Sequence, residues 1–435
     1  MHCRKRLLLT TFLYPISLSK NSLRCCLAFS ISEPYITSQH FHRSRTIVTS
    51  TFKTVSTACN PITTSFQHQV LPSFIEEDPT MTREDCQLRV VSYNILSSHL
   101  ASPTHHTKCD PEQLEASARL PKILNKLQEE LDHSNDKGEP AIFCLQEVSH
   151  DWAAALHTFF AERNYHMITA LYGKKFNGYM GIATAFPMDK FETLQVDLCR
   201  LSDKKKGGWP KAPLDPEPGF ISKYIFQPFM KPILSTVHYL RGNKAKLEDP
   251  WEYSQWRFNQ FIGIKLKPRD KNKVFWVGNY HMPCAFRTPA VMNIHVDLVS
   301  DRIQSLAGSD EYVLAGDFNI LPDSPHYKLL RTGTLDENDE TYPPPKYSMT
   351  WESSFQGMRS AYYEVHGKEP QFTNNAHNGA LNAESFIGTL DYIFLSENIK
   401  VVDVKDTPSM DDWKGVYPDE NEPSDHVMIA ASLRL

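Results

Sequence analysis

Tyr312-Val313-Leu314-Ala315-Gly316-Asp317-Phe318-Asn319 is the stretch on which the fold turns. An apolar run closed by glycine reads as a short buried strand, and Asp317 and Asn319 stand where that strand ends. The same construction recurs outward in both directions. Upstream, 88–93 runs into Asn94, 141–146 into Glu147 and 275–280 into His281; downstream, Asp391 lies inside 389–393, and Asp425 and His426 precede 427–433. One polar residue at a strand end is ordinary punctuation. Repetition at strand after strand is not, because the ends of stacked strands converge on one rim and gather such groups into one cleft.

The remaining pattern sets the architecture. Strands are expected over 88–93, 141–145, 180–186, 193–198, 261–266, 274–280, 312–315, 389–395, 399–404 and 427–433, and helices over 111–133, 152–163 and 289–307. Helices separate some strands while other strands follow each other directly. That mixture argues against a purely parallel doubly wound sheet and for two mixed β-sheets packed face to face with helices outside, an α/β class. A hydrophobic fraction of 41% in 435 residues supplies a sizeable core and excludes global disorder. Trp351 and Tyr362 are expected in that core. The 9 cysteines show neither zinc-ligand nor disulfide spacing, so free thiols in a reducing compartment are expected, buried at Cys144 and Cys284.

Charge is unevenly distributed. Up to Ile75 the chain carries Arg4, Lys5, Arg6, Lys20, Arg24, Arg43, Arg45 and Lys53 against the single acid Glu33. Removing these 8 basic and 1 acidic residues from the totals of 46 and 51 leaves 38 and 50, a net charge of −12. The body is therefore no generally basic nucleic-acid binder, and a polyanion would have to bind locally. Residues 1–80, acid-poor and rich in Ser and Thr, read as a targeting-like extension before a catalytic domain at 85–435. A mitochondrial address is the first reading; a chloroplast address, secretion, and a cytoplasmic protein starting at Met81 are the alternatives. The apolar stretch 7–18 is too short to span a bilayer as a helix, and no transmembrane segment is expected. Within the body, 201–256 forms a basic aromatic insertion, with Lys204, Lys205, Lys206, Lys211 and Arg241 interleaved with Trp209, Phe220 and Tyr239. It suits single-stranded nucleic acid, or forms a solvated surface insertion with its own apolar cluster.

The rim residues suit phosphoryl transfer to water. A hard divalent cation prefers oxygen ligands, which Glu147 and Asp425 supply, with Asn94 as a neutral neighbour. Asp317 can orient and deprotonate the attacking water, and His426 paired with Asp391 can stabilise charged phosphoryl oxygens. His99, His105 and His106 fall in a polar loop and read as solvated.

At these positions the sequence resembles the endonuclease/exonuclease/phosphatase family. The matching words are Ser92-Tyr93-Asn94-Ile95-Leu96, Leu145-Gln146-Glu147-Val148, Gly278-Asn279-Tyr280-His281, Gly316-Asp317-Phe318-Asn319, Leu390-Asp391-Tyr392-Ile393-Phe394 and Ser424-Asp425-His426, unbroken and in family order. The resemblance implies a four-layer α/β sandwich and a Mg²⁺-dependent hydrolase, with Mn²⁺ as a substitute ion. It implies Glu147 on the metal with Asn94 close by and Asp425 near a second metal. It places Asp317 and Asn319 at the water and phosphate, His281 on the phosphate, and Asp391 orienting His426.

Within the family the chain is similar to the deadenylase branch of nocturnin, angel proteins and mitochondrial 2′-phosphodiesterase. Phe386, five residues before Asp391, takes the place of the aromatic that stacks on the substrate base there; read alone, it is a loop aromatic closing the sandwich edge. Segment 281–287 departs from the proline spacing of the deadenylases, so RNA or an oligonucleotide, rather than poly(A) alone, is the expected substrate, attacked as a 3′-to-5′ exoribonuclease would. The alternatives are a phosphatase or phosphodiesterase on a small-molecule or lipid phosphate, and a non-catalytic RNA-binding protein, which would need a catalytic position lost.

Overall fold

Strand β1 (Gln87–Asn94) is buried at every residue from Leu88 onward, as a strand covered on both faces must be. Consecutive residues serve opposite faces: Val90 joins a core between two sheets, Val91 a core under helices. The computed structural model describes residues 85–172, 179–213, 249–377, 385–411 and 415–435. Extension 1–80 lies outside the described residues, as do Phe220, Tyr239 and Arg241 of the insertion.

The first sheet has the order β13-β14-β1-β2-β4-β3, with β2 at Ala141–Gln146, β3 at Tyr165–Tyr172, β4 at Met180–Pro187, β13 at Lys400–Val404 and β14 at Ile429–Arg434. The second has the order β5-β6-β7-β8-β12-β9, with β5 at Phe191–Arg200, β6 at Gln260–Pro268, β7 at Phe275–His281, β8 at Glu311–Asp317, β9 at Arg359–Ser360 and β12 at Asp391–Leu395. A ribbon of β10 (Asn374–Ala376) and β11 (Phe386–Gly388) stands apart. Both sheets are mixed: β1 runs parallel to β2 and β7 to β8, while the other pairs are antiparallel.

Ile142, Ile182 and Ile429 of the first sheet meet Ile262, Val277 and Val313 of the second in one buried apolar layer. Outside the first sheet, Phe143 and Leu145 pack on α2 (Ala116–Asp136) and α3 (His150–Ala161) through Ile123, Leu127, Trp152 and Phe160. Outside the second, Trp276, Leu314 and Phe394 pack on α5 (Pro289–Ala307) and α6 (Pro325–Thr332). The result is the expected four-layer sandwich, with Trp351 and Tyr362 in the core.

Several expectations are corrected. The helix over 111–133 breaks into α1 (Pro111–Leu114) and α2, because Glu115 is extended at φ −62, ψ 128. Strand β3 was not anticipated: Asn164, at φ 62, makes the turn out of α3 without glycine. Short helices α4 (Pro250–Trp256) and α7 (Ala361–His366) were not expected either. Cys144 is buried as expected, but Cys284 is exposed on the loop after β7. The described start of the insertion is partly committed to the body: Lys206 pairs with Asp301 at 2.5 Å and Trp209 donates to the Ser202 carbonyl at 2.9 Å. Among the described residues no helix is long and apolar enough to cross a membrane.

Candidate active site

Parallel strands end together, and here both parallel pairs end at one rim. β1 delivers Asn94, β2 delivers Glu147 one residue past its end, β7 delivers His281, and β8 delivers Asp317 with Asn319 just beyond. Antiparallel pairing brings the starts of two further strands to the same place. Asp391, first in β12, lies opposite Asp317, and His426 precedes β14, whose Ile429 pairs with Ser92.

The turns leaving these strands are left-handed at non-glycine residues. Leu96 has φ 46, Glu147 φ 59 and Asn319 φ 51, conformations that cost free energy and persist where the surroundings enforce them. Gly316 has a steric role: a Cβ there would lie 1.9 Å from the Tyr280 carbonyl oxygen, so only glycine lets β8 approach β7 at the rim.

Asp317 Oδ2 is the meeting point. Asn94 Nδ2 donates to it at 2.9 Å, with His281 Nε2 at 3.4 Å and His426 Nε2 at 3.7 Å. Its other oxygen accepts from the Asn319 backbone at 2.9 Å, while the Asn319 side chain donates to the Met282 carbonyl at 3.0 Å. Glu147 lies on the far side of Asn94, 3.4 Å from its Nδ2, and accepts from the Ser97 backbone at 3.0 Å. His426 Nδ1 meets Asp391 Oδ2 at 2.8 Å, and the Thr373 hydroxyl donates to that same oxygen at 2.6 Å. The dyad is thus held from both sides. Tyr172 lies 3.4 Å from His281 Nδ1.

Burial raises Asp317 above the ordinary carboxylate range, with the charge of Asp391 adding to it and His426 and His281 pulling back. Burial works against a charged His426, yet Asp391 and Asp317 together outweigh it and hold the imidazole well above its ordinary value. The site therefore pairs a base made stronger by burial with a cation stabilised by neighbours.

Asp391, Asp317 and His426 place one ligand atom each within 4.8 Å of one another, and no comparable cluster of three occurs among the described residues. Asp391 Oδ1 and Asp425 Oδ1 are buried without a hydrogen-bond partner, a costly state for anionic oxygen unless a cation or a ligand donor completes it. His426, held charged, is no ligand in that state, whereas the carboxylate oxygens at this rim, with Glu147 3.4 Å from the Asn94 amide, are the hard donors that suit a divalent cation. Asp425 and Glu147 act together on the same neighbours, each favouring the charged forms of Arg119 and His106.

Phe386 opens β11, half-buried at the rim. A Cβ on Gly388 would lie 3.1 Å from its ring and 2.8 Å from Leu321, which places Phe386 beside the segment that follows Asn319. His106 is a correction: it is buried with Nδ1 unpartnered, and burial lowers its imidazole while Asp425 pulls the other way. His99 and His105 are exposed as expected. Sequence reasoning also passed over Asn279, whose amide crosses from β7 to Ala183 of β4 at 2.8 Å and Leu145 of β2 at 3.2 Å, joining the sheets beneath the site.

Residues 91–426 match the Endonuclease/Exonuclease/phosphatase family. The chain is 23% identical over 395 residues to the CCR4-Not complex 3'-5'-exoribonuclease subunit Ccr4 of Schizosaccharomyces pombe, covering 82% of this chain and 50% of that one. It is 24% identical over 374 residues to 2',5'-phosphodiesterase 12 of Homo sapiens, covering 81% and 52%. The chain spans about half the length of these two relatives. The crystal structure of ANGEL2, a 2',3'-cyclic phosphatase, in complex with adenosine-2',3'-vanadate shares the fold, with a TM-score of 0.57 and 20% identity over 81% of this chain and 96% of that one.

Proposed function

Since the chain belongs to the endonuclease/exonuclease/phosphatase family, we propose that it is a Mg²⁺-dependent phosphodiesterase that hydrolyses RNA from the 3′ end. The observation that carries the hydrolytic reading is the convergence of Asn94, His281 and His426 on Asp317 Oδ2, with Asp391 behind His426. A water held by Asp317 and Asn319 attacks phosphorus as Asp317 accepts its proton, and the bond from phosphorus to the leaving ester oxygen breaks. His426, kept charged by Asp391, stabilises the phosphoryl oxygens together with His281. Thr373 fixes the carboxylate that fixes the imidazole. Glu147 and Asn94 would hold the cation, with Asp425 toward a second position. When bound, Mg²⁺ supplies neutralisation of developing charge on the phosphate and leaving oxygen.

RNA is favoured over a small phosphoester by two facts. Two of the relatives are a 3'-5'-exoribonuclease and a 2',5'-phosphodiesterase, and Phe386 offers a half-buried ring at the rim on which a nucleobase can stack. The acid-poor start supports a mitochondrial address, checked by whether residues 1–80 carry a fluorescent reporter into that organelle.

The activity is tested with purified chain, Mg²⁺ and end-labelled poly(A), mixed RNA, single-stranded DNA and 2′,5′-linked adenylate. A ladder that shortens from the 3′ end is expected on RNA. Intact oligonucleotides with phosphate released from small esters would replace this reading by that of a phosphatase.

A further inference from the structure

Arg119 projects from α2 into the protein and is wholly buried, yet no carboxylate lies in hydrogen-bond contact with it among the described residues. Its partners are backbone carbonyls of two segments far apart in sequence. Nε donates to Pro423 O at 2.6 Å; the terminal nitrogens reach Ile95 O at 2.7 Å, Ser97 O at 3.4 Å and Leu96 O. Residues 95–97 form the turn after Asn94, and Ser97 supplies the backbone N–H that holds Glu147. Pro423 leads into Asp425 and His426.

We propose that Arg119 is a positioning residue that fixes the registry between the Asn94–Glu147 side of the cleft and the Asp425–His426 side. This rests on the hydrolase reading given above. Burying an unpaired guanidinium is expensive, and carbonyl dipoles turned toward one cation offset that cost only while both segments stay in place. The planar fork reaches both segments at once, whereas one ammonium cannot. Burial lowers Arg119 only to about 10, so it remains charged at neutral pH, with Asp425 and Glu147 contributing favourably. Weaker ties cross the same gap: Ser424 Oγ donates to Asn94 O at 2.7 Å, and Tyr93 donates to Glu422 at 2.7 Å. Trp152 covers the guanidinium, its ring 5.0 Å away.

The test compares Arg119→Lys with Arg89→Lys in the full chain. Arg89 lies on β1 below the site, equally buried, and bonds Glu130 of the same helix α2 at 2.5 Å. Both variants should melt lower. Only Arg119→Lys should weaken Mn²⁺ binding, followed by titration of the free-ion spin signal, by about tenfold or more, and lower kcat by roughly 10²-fold with KM little changed. Wild-type Mn²⁺ affinity and kcat in Arg119→Lys, or equal losses in Arg89→Lys, would overturn the proposal. Should Arg119→Lys not accumulate, Ser424→Ala should show the same pattern in smaller measure, and wild-type values there would count against it. A wild-type chain inert on every phosphodiester sinks the hydrolase reading instead, while the Mn²⁺ comparison still decides on Arg119.

Discussion

Replacing Asn279 by leucine should weaken the protein and slow it together. Asn279 is wholly buried on β7, and its amide reaches across the layer between the sheets to Ala183 O at 2.8 Å, Leu145 O at 3.2 Å and Thr184 Oγ1 at 3.3 Å. Its oxygen accepts from Gln146 Nε2 at 3.0 Å. Leucine fills similar space and removes both roles. Gln146 Nε2 keeps Cys144 O at 2.9 Å and Ser92 Oγ at 3.3 Å, so it is not orphaned. The loss is then two or three neutral hydrogen bonds at about 1 kcal/mol each, plus incomplete satisfaction of Thr184, together about 2–4 kcal/mol. Gln146 immediately precedes Glu147, and Asn279 lies two residues before His281. Loosening this bridge therefore lets the two halves of the site shift, and kcat should fall about tenfold or more. Urea unfolding gives the stability change, provided the m-value holds, and a Gln146→Leu, Asn279→Leu cycle gives the coupling, expected above about 0.5 kcal/mol. A loss below about 1 kcal/mol with unchanged kcat would show that the sheets are held in register by apolar packing alone.

Glu147→Gln preserves side-chain shape and removes the charge that would anchor the cation, so turnover at saturating Mg²⁺ should fall by orders of magnitude with the melting temperature kept; near-normal turnover would take Glu147 out of the metal site. Phe386→Ala should lose about 1–3 kcal/mol of oligonucleotide binding and little with a base-free diester, and equal losses on both would mean the ring is only structural. Asp297 is raised from 3.8 to about 6, chiefly by burial, while Ser354 donates to it through backbone and hydroxyl. A carboxyl raised on folding contributes stability that is full below its unfolded value and lost as pH rises through the folded one. Relative to Asp297→Asn, the wild-type chain should therefore lose stability between about pH 4 and pH 6, the window set by those two values, and parallel urea midpoints across that range would contradict this.

What the sequence disclosed and what it hid divide along a physical line. Asn94, Glu147, His281, Asp317 and Asp391 announce themselves because each terminates or begins an apolar run, and strand ends meet wherever sheets stack. Phe143, Leu145 and Ile142 likewise reveal a strand buried on both faces. Arg119 carries no such local mark: it sits on an ordinary amphipathic helix, and its meaning lies in a carbonyl 304 residues away. His106 looked solvated because its neighbours in sequence are polar, yet the fold buries it within reach of the charges of Asp425, Arg119 and Glu147, which lie far from it along the chain. The left-handed turns at Leu96, Glu147 and Asn319 were equally hidden, since local propensity would put glycine or asparagine there and only Asn319 conforms. Lys206 shows a partner that composition could not reveal, since it pairs with Asp301 while its side chain stays largely exposed.

The pairing pattern explains why six strands contribute to one cleft. Taken in the order β13-β14-β1-β2-β4-β3, neighbours in the first sheet are antiparallel, antiparallel, parallel, antiparallel and antiparallel. The second sheet, β5-β6-β7-β8-β12-β9, repeats that sequence of orientations. In this correspondence β1 matches β7 and β2 matches β8, each pair joined through a helical crossover. Asn94 then matches His281, and Glu147 matches the neighbourhood of Asp317. Equivalent positions in two like sheets thus carry unlike chemistry: an amide and a carboxylate suited to a cation on one side, an imidazole and a carboxylate suited to water and phosphate on the other. No internal repeat is visible in the amino-acid sequence, because the correspondence lies in pairing direction, which many side chains satisfy. Facing the sheets brings the unlike ends together, and Asn94 Nδ2 on Asp317 Oδ2, at 2.9 Å, is one of the bonds that close one half onto the other at the rim, with His426 Nδ1 on Asp391 Oδ2, at 2.8 Å, beside it. The site therefore cannot be divided between sheets: a change that slides one sheet against the other should disturb the proposed cation and water positions at once, even where every rim residue is intact.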